Sequence, residues 1–257
     1  MSETVYCASP SAPASEVLKR PEEKVISNQD AVSTLLALVA KLEVGQVPLE
    51  LRGPLFEKTN PDQVERIKQF RETQYRERVS YLLTPEQLVL EERLALNERS
   101  AHFGAIRGTQ VVGCVRITPA PFEFQSLSSS LSEMAPQFQG YAEFSRLVVA
   151  PEERAAYVTT RLLVASCVWA MTEGYSGILG LCRPASRTVF ERYGLTAASE
   201  AQHLIPIRGT QQYTLMVGNW PQLITGTTRL SERLDRLRAS NSPEAHTPMN
   251  EVESRHE

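Results

Sequence analysis

Glu143, Ser145 and Arg146 stand together in the strand-like run Glu143-Phe144-Ser145-Arg146-Leu147-Val148-Val149, and Arg116 interrupts an earlier one, Val111-Val112-Gly113-Cys114-Val115-Arg116-Ile117-Thr118-Pro119. Burying a charge without a partner is costly, so these residues among β-branched neighbours mark a polar site set into a sheet. A carboxylate there can take a proton directly or through water, and guanidinium groups can grip a carboxylate ligand bidentately. In a regular strand Glu143 and Ser145 share one face while Arg146 points to the other, so a single site built from all three requires a β-bulge. The alternative for Glu143 is a plain ion pair with a buried arginine.

Further arginines come from a helix. Val64 to Leu82 carries a helical period in which Val64, Ile67, Tyr75, Val79 and Leu82 share one face, and Arg71 and Arg78 fall inside that apolar stripe. Arg71, Arg78 and Arg116 therefore either bind an anionic ligand or form an internal network with Glu143, Glu98 or Glu72. A separate possibility is nucleophilic: Cys182 ends a strand before Arg183-Pro184, with His102 or His203 as base, although an apolar-flanked cysteine is more often a small core residue.

The elements that must position these groups follow from pattern and punctuation. Ala31 to Leu42 is expected as a short helix. Ala101 to Ile106 and Val111 to Ile117 form a hairpin around Arg107-Gly108-Thr109-Gln110. The pentapeptide Ile-Arg-Gly-Thr-Gln recurs at Ile207 to Gln211. Pro119 to Gly140 is rich in Ser and Pro yet holds Phe122, Phe124, Leu127, Leu131, Met134 and Phe138, which suggests a hydrophobic lid or short-helix insertion suited to a hydrophobic ligand. The strand Glu143 to Val149 leads to a helix opened by Pro151-Glu152-Glu153 and running to about Glu173. Then come a buried strand Ile178 to Cys182, a helix Ala185 to Tyr193 stopped by Gly194, and a strand pair, His203 to Ile207 with Tyr213 to Val217.

With 257 residues and 42% hydrophobic content the chain can bury one substantial core. The expected organisation is a disordered leader over 1–30, a domain over 31–225, an exposed charged helix over 226–240 and a disordered tail over 241–257. A balance of 27 basic against 30 acidic residues gives a net charge of -3, with no footprint for nucleic acid or an anionic membrane. Cys7, Cys114, Cys167 and Cys182 form no C-x-x-C pair, which argues against a disulfide framework or a zinc site and fits a reducing cytoplasm. The first 30 residues lack a signal-peptide pattern, and the longest apolar run, Leu162 to Met171, is too short to span a bilayer.

This order of elements, together with Arg71-x3-Tyr75-x2-Arg78, the V-G-C-x-R strand through Arg116 and the E-x-S-R-x-x-V strand from Glu143, resembles the GNAT acyltransferase fold over roughly Val64 to Asn219. Within it, the chain is similar to the branch of acyl-homoserine lactone synthases and N-acyl amino acid synthases. The resemblance implies an α+β domain with a mixed central sheet flanked by helices. It further implies an N-acyltransferase that moves a medium or long acyl chain from an acyl carrier protein or CoA thioester to an amino acid or related small amine, with no tightly bound cofactor and no metal. Glu143, Ser145 and Arg146 would then be catalytic. Val148, Val149 and Arg154 would bind the donor, backbone N–H groups around Val148 and Val149 serving the oxyanion, and Arg71, Tyr75, Arg78 and Arg116 would bind the acceptor. The sequence departs from family patterns in three places. Tyr157 and Thr159 occupy the glycine positions of a pyrophosphate loop, which favours an acyl carrier protein partner. Phe190 stands where a general-acid tyrosine is often found. Leu96-Asn97-Glu98-Arg99-Ser100 lacks the paired aspartates of homoserine lactone synthases, which shifts the expected acceptor from S-adenosylmethionine toward an amino acid. The alternatives are an acyl-homoserine lactone (autoinducer) synthase-like enzyme, an acetyl-CoA-dependent N-acetyltransferase and a catalytically inactive binding module.

Overall fold

A computed structural model describes residues 28–43, 46, 48–153 and 155–240. The expected tail and all but the last three residues of the expected leader lie outside these. The sheet is built from β1 (Glu50–Leu55), β2 (Ala101–Arg107), β3 (Gln110–Thr118), β4 (Tyr141–Val149), β5 (Gly177–Cys182), β6 (Thr196–Ala197), β7 (His203–Leu204) and β8 (Gln212–Asn219). Its order is β1-β2-β3-β4-β5-β8-β6, with β7 paired to β8 off that path. Every pairing is antiparallel except β4 with β5, which is parallel. The hairpin β2–β3 forms as its turn residues predict. The edge strand β1 was not expected, because its sequence ELRGPL carries the Gly and Pro that ordinarily argue against a strand.

Helices cover both faces. α1 (Asn28–Glu43) begins at Asn28, inside the expected leader, and packs with α5 (Ala155–Thr172) against one face. α5 is apolar nearly all round and its Val158, Leu162 and Cys167 are buried in the main core. α7 (Trp220–Ser240) starts before the expected charged segment: Leu223, Ile224 and Thr227 are buried, and Lys41 on α1 bonds Asp235 at 2.6 Å. α2 (Pro61–Arg78) lies on the opposite face and buries Val64, Ile67, Arg71 and Tyr75, one stripe at helical spacing. It ends at Arg78, with Val79 as its cap. Leu82 belongs to a separate 3₁₀ turn, Ser80–Leu83, so the continuous helix expected to Leu82 is shorter.

Two further differences bear on the site. α3 (Pro85–Arg93), started by Pro85 behind the Thr84 cap, escaped the sequence reading, and it turns Gln87, Leu90 and Glu91 inward. The segment Pro119 to Gly140, expected as a lid, is a buried layer made of 3₁₀ turns at Phe124–Ser126 and Ala135–Phe138 around α4 (Ser129–Met134). Its Phe122, Phe124, Leu127, Leu131 and Phe138 pack with Leu179, Ile205 and Leu215 into a second core. These apolar side chains fill that core and do not border the cavity between β4 and β5, which only Glu123 of the segment reaches. In the final strand pair β7 is shorter than expected, since Pro206 opens a 3₁₀ turn, Pro206–Arg208, one residue after it, while β8 is longer than expected at both ends. α6 (Pro184–Arg192) completes the wall beside β5.

Candidate active site

The site exists because two parallel strands part company. β4 and β5 pair only from Tyr141 with Gly177 to Glu143 with Leu179, although β4 continues to Val149 and β5 to Cys182. At the parting point Gly180 lets the strands pass: a Cβ there would stand 2.3 Å from the Phe144 carbonyl oxygen. Beyond it a cavity of about 450 Å³ opens between Phe144 to Val149 on one side and Leu181, Cys182 and α6 on the other, bordered also by Tyr75, Arg78 and Tyr213.

The bulge required by the sequence is present on β4. Cys114 pairs with Val148 but Arg116 pairs with Ser145, so β4 carries one residue more than β3 across the interval, and Arg146 adopts a positive φ of 57°. This rotation carries the Arg146 side chain to the side of the sheet where Arg116 lies. Its Nη2 donates to Glu91 at 2.5 Å and to Glu123 at 2.6 Å. Arg116, fully enclosed, donates to Glu123, to Glu91 at 3.3 Å and to Ser145 Oγ at 3.3 Å. Arg71 lies 3.7 Å from Glu91, and Arg208 donates to Glu123 at 2.7 Å. Four guanidinium groups thus converge on Glu91 and Glu123. Burial pushes the Glu91 carboxyl up, but Arg146, Arg116 and Arg71 outweigh it and hold it at about 2. Burial also opposes ionisation of Glu123, and Arg146, Arg116 and Arg208 overcome it, so Glu123 stays below the usual carboxylate range.

Glu143 is set apart from that network. It is 2% exposed, and its carboxylate accepts the Glu123 N–H at 2.5 Å and the Phe124 N–H at 3.2 Å. Desolvation, and next the neighbouring Glu123 charge, raise its pKa from 4.5 to about 7 against the pull of Arg116. A carboxyl that both borders the cavity and changes charge near neutrality can accept a proton there. The same cavity holds a backbone donor. Ala150 N donates to Val112 O on β3, so strand alternation turns the amide and carbonyl of Val149 the other way, toward the cleft. The Val149 carbonyl receives Arg78 Nη1 at 2.9 Å. By the same alternation Val148 directs its amide to β3, beside Cys114 Sγ.

The cavity therefore unites Glu143, Ser145, Arg146, Val148, Val149, Tyr75 and Arg78 among the expected site residues. Arg116 and Arg71 do not border this cavity: both are buried and engaged with glutamates. Their partners are Glu91 and Glu123, not Glu143, Glu98 or Glu72. Arg154 lies outside the described residues. Tyr157 and Thr159 are buried, Tyr157 under the Arg161 guanidinium and Thr159 at the border of the cavity. Cys182 lines the cavity, but burial raises its thiol to about 11. His102 is sealed away with a pKa lowered to about 3, and His203 bonds Ser130 at 3.0 Å; neither borders the cavity, so among the described residues Cys182 has no histidine base beside it. Sequence reasoning missed Glu91, Glu123, Arg208 and Tyr213. Glu91 could have been found from the spacing of Gln87, Leu90 and Glu91 on one helical face.

Residues 57–218 match the family profile of autoinducer synthase. The chain belongs to the autoinducer synthase family. It is accordingly an acyltransferase, with an α+β fold in which helices flank a mostly antiparallel central sheet. No curated protein matches this autoinducer synthase family member. Among solved structures it is similar to the acyl-homoserine lactone synthase LasI, at 14% identity over 71% of this chain and 95% of LasI, TM-score 0.54. It is also similar to BjaI, a CoA-dependent acyl-homoserine lactone synthase solved with S-adenosylmethionine and isopentyl-CoA, at 16% identity over 73% of this chain and 89% of BjaI, TM-score 0.53. FeeM, an N-acyl amino acid synthase from uncultured soil microbes, superposes with TM-score 0.47 at 12% identity over 68% of this chain and 93% of FeeM. Among the described residues no helix of this autoinducer synthase family member is long and apolar enough to cross a membrane.

Proposed function

We propose that the protein transfers a medium or long acyl chain from an acyl carrier protein or CoA thioester to the amine of an α-amino acid or a compound containing one. The observation that carries this reading is Glu143: a buried carboxyl with a pKa raised to about 7, bordering a cavity whose other wall sets Leu181, Val189 and Phe190 beside Arg183 and Ser186. The amine attacks the thioester carbonyl, its proton passes to Glu143 directly or through water, the Val149 amide stabilises the oxyanion, and the thiolate leaves as the amide forms. Leu181, Val189 and Phe190 give the chain an apolar wall, a role first expected of the Pro119 to Gly140 insertion. The side chains at Tyr157 and Thr159 argue for a donor recognised through more than its pyrophosphate, hence for a carrier protein.

Arg78 is the exposed guanidinium at the cavity border and the candidate to hold the acceptor carboxylate, with Tyr75 beside it. The buried cluster favours an anion too, since Arg71, Arg116, Arg146 and Arg208 outnumber Glu91, Glu123 and a half-ionised Glu143. The second reading, S-adenosylmethionine as acceptor, is favoured by the family match and by BjaI, and it shares the required chemistry, because the methionyl part of that molecule carries an α-amine and a carboxylate. The experiment is to incubate the protein with octanoyl-CoA or octanoyl carrier protein and a mixture of protein amino acids plus S-adenosylmethionine, and to identify acylated products by mass spectrometry. An N-octanoyl amino acid supports the first acceptor and an octanoyl lactone the second. Product from acetyl-CoA alone overturns both.

A further inference from the structure

The pentapeptide Ile-Arg-Gly-Thr-Gln occurs twice, and its two arginines end in different places. In the β2–β3 turn Arg107 pairs near the surface with Glu153, at 2.7 and 2.6 Å. In the second copy Gly209 takes a positive φ of 74° after the Pro206–Arg208 turn, and Arg208 points inward, 5% exposed. Arg208 Nη2 donates to Glu123 Oε1 at 2.7 Å, its Nε donates to Gln87 Oε1 at 3.0 Å, and its guanidinium lies 5.4 Å from the centre of the Tyr213 ring. Gln87 Nε2 in turn donates to Glu123 at 3.1 Å. Arg208 thereby ties the C-terminal hairpin to α3 and to the loop that follows β3. That loop supplies the Glu123 and Phe124 N–H groups that hold the Glu143 carboxylate.

We propose that Arg208 is a positioning residue for proton transfer at Glu143: by gripping the Glu123 side chain it fixes the loop whose amides hold the base. This rests on the reading of Glu143 as base. Arg116 and Arg146 grip Glu123 from β3 and β4, the sheet side, and Arg208 grips it from the hairpin opposite, so its removal takes away the hairpin's hold and the charged contact on that side, while Glu123 keeps two cationic partners and the Gln87 amide. The charges acting on Glu143 are Glu123 in its own loop, Arg116 on β3, Arg208 on the hairpin and Arg99 before β2. Losing the Arg208 cation moves the Glu143 carboxyl further upward.

The test is a double-mutant cycle of Arg208→Gln and Glu143→Gln, with octanoyl-CoA and the amino acid and S-adenosylmethionine mixture as substrates and thiol release as readout. Arg208→Gln is expected to lower kcat at neutral pH by about ten- to a hundredfold, to raise the midpoint of the acidic limb by more than about half a pH unit, and to leave apparent KM values within about twofold. In the Glu143→Gln background the same substitution should cost nothing further. Independent, multiplicative losses in the double variant overturn the inference while the base reading stands, as does an unmoved acidic limb or a loss confined to KM. Full kcat in Glu143→Gln alone overturns the base reading instead. Should Arg208→Gln not yield folded protein, Arg208→Lys keeps the cation without the two-pronged grip. It is expected to hold the midpoint and lose part of kcat, and a wild-type kcat in that variant overturns the positioning role.

Discussion

Replacing Glu143 by Gln separates a base from a structural carboxylate, because the two predict different responses to pH. In the native protein the carboxyl titrates at about 7, and in the unfolded chain near 4.5. A raised native pKa means that the native state holds a proton the unfolded state has already lost, so the contribution is fully present below 4.5 and is lost as pH rises through 7. The size of that loss is about 3 kcal/mol. Glu91 works in the opposite sense, its stabilisation falling only as pH drops toward about 2, which lies outside this window. Glu143→Gln removes the slope. It adds a cost that does not depend on pH, since one amide oxygen must serve the Glu123 and Phe124 N–H donors and the other donor loses its acceptor, about 1–3 kcal/mol. Urea unfolding at about pH 5 and about pH 8 should therefore show the variant less stable at the lower pH and closing the gap, or overtaking wild type, at the higher. Turnover should fall by about two orders of magnitude and lose its acidic limb. Parallel stability curves for the two proteins refute the raised pKa, and a variant with full turnover but a lower Tm makes Glu143 a structural acceptor of backbone hydrogen bonds.

Arg78→Gln should raise the acceptor KM about tenfold for an amino acid and leave its carboxamide unaffected, as loss of one charged hydrogen bond would; equal use of acid and carboxamide by wild type shows that no carboxylate is read. Thioesters of eight or more carbons should turn over faster than acetyl-CoA in a steady-state chain-length series, and Phe190→Ala should weaken the long donors selectively by removing part of the apolar wall. Leu131→Ala, in the buried insertion, should cost about 2–5 kcal/mol in denaturant unfolding with no change in donor KM, whereas a KM effect without destabilisation would restore the lid. Gly180→Ala should impair turnover, since its Cβ cannot stand 2.3 Å from the Phe144 carbonyl without moving the strand that carries Glu143.

What the sequence made legible was whatever is encoded by local period and by chemical incongruity. The β2–β3 hairpin, β4, β5 and the long apolar helix carry their own periodicity, and an Arg or Glu within a β-branched run announces itself without any neighbour being known. The bulge at Arg146 was legible for a similar reason, as the geometric condition for Glu143, Ser145 and Arg146 to share a site. The edge strand β1 was hidden by Gly53 and Pro54, and α3 by a short amphipathic pattern whose inward positions are the polar Gln87 and Glu91.

The partners of the arginines were illegible because they are separated along the chain from what they neutralise. Arg146 meets Glu91 across 55 positions and Arg208 meets Glu123 across 85. On the visible elements alone the inward arginines lack enough carboxylates, a deficit that either a bound anion or an internal network could meet. The fold supplies most of the deficit internally, through a helix and a loop that looked like connections. What is left for a ligand is smaller and differently located: Arg78 at the cavity border, bonded to Gln74 and the Val149 carbonyl but to no carboxylate among the described residues, and a cluster whose surplus of positive charge depends on whether Glu143 is ionised. That dependence links the two functions of the site. An anionic acceptor lowers the net charge around Glu143 and makes its ionised form harder to reach, while a cationic amine beside it does the reverse. An α-amino acid brings both charges at once, so binding it disturbs the base less than either charge alone would.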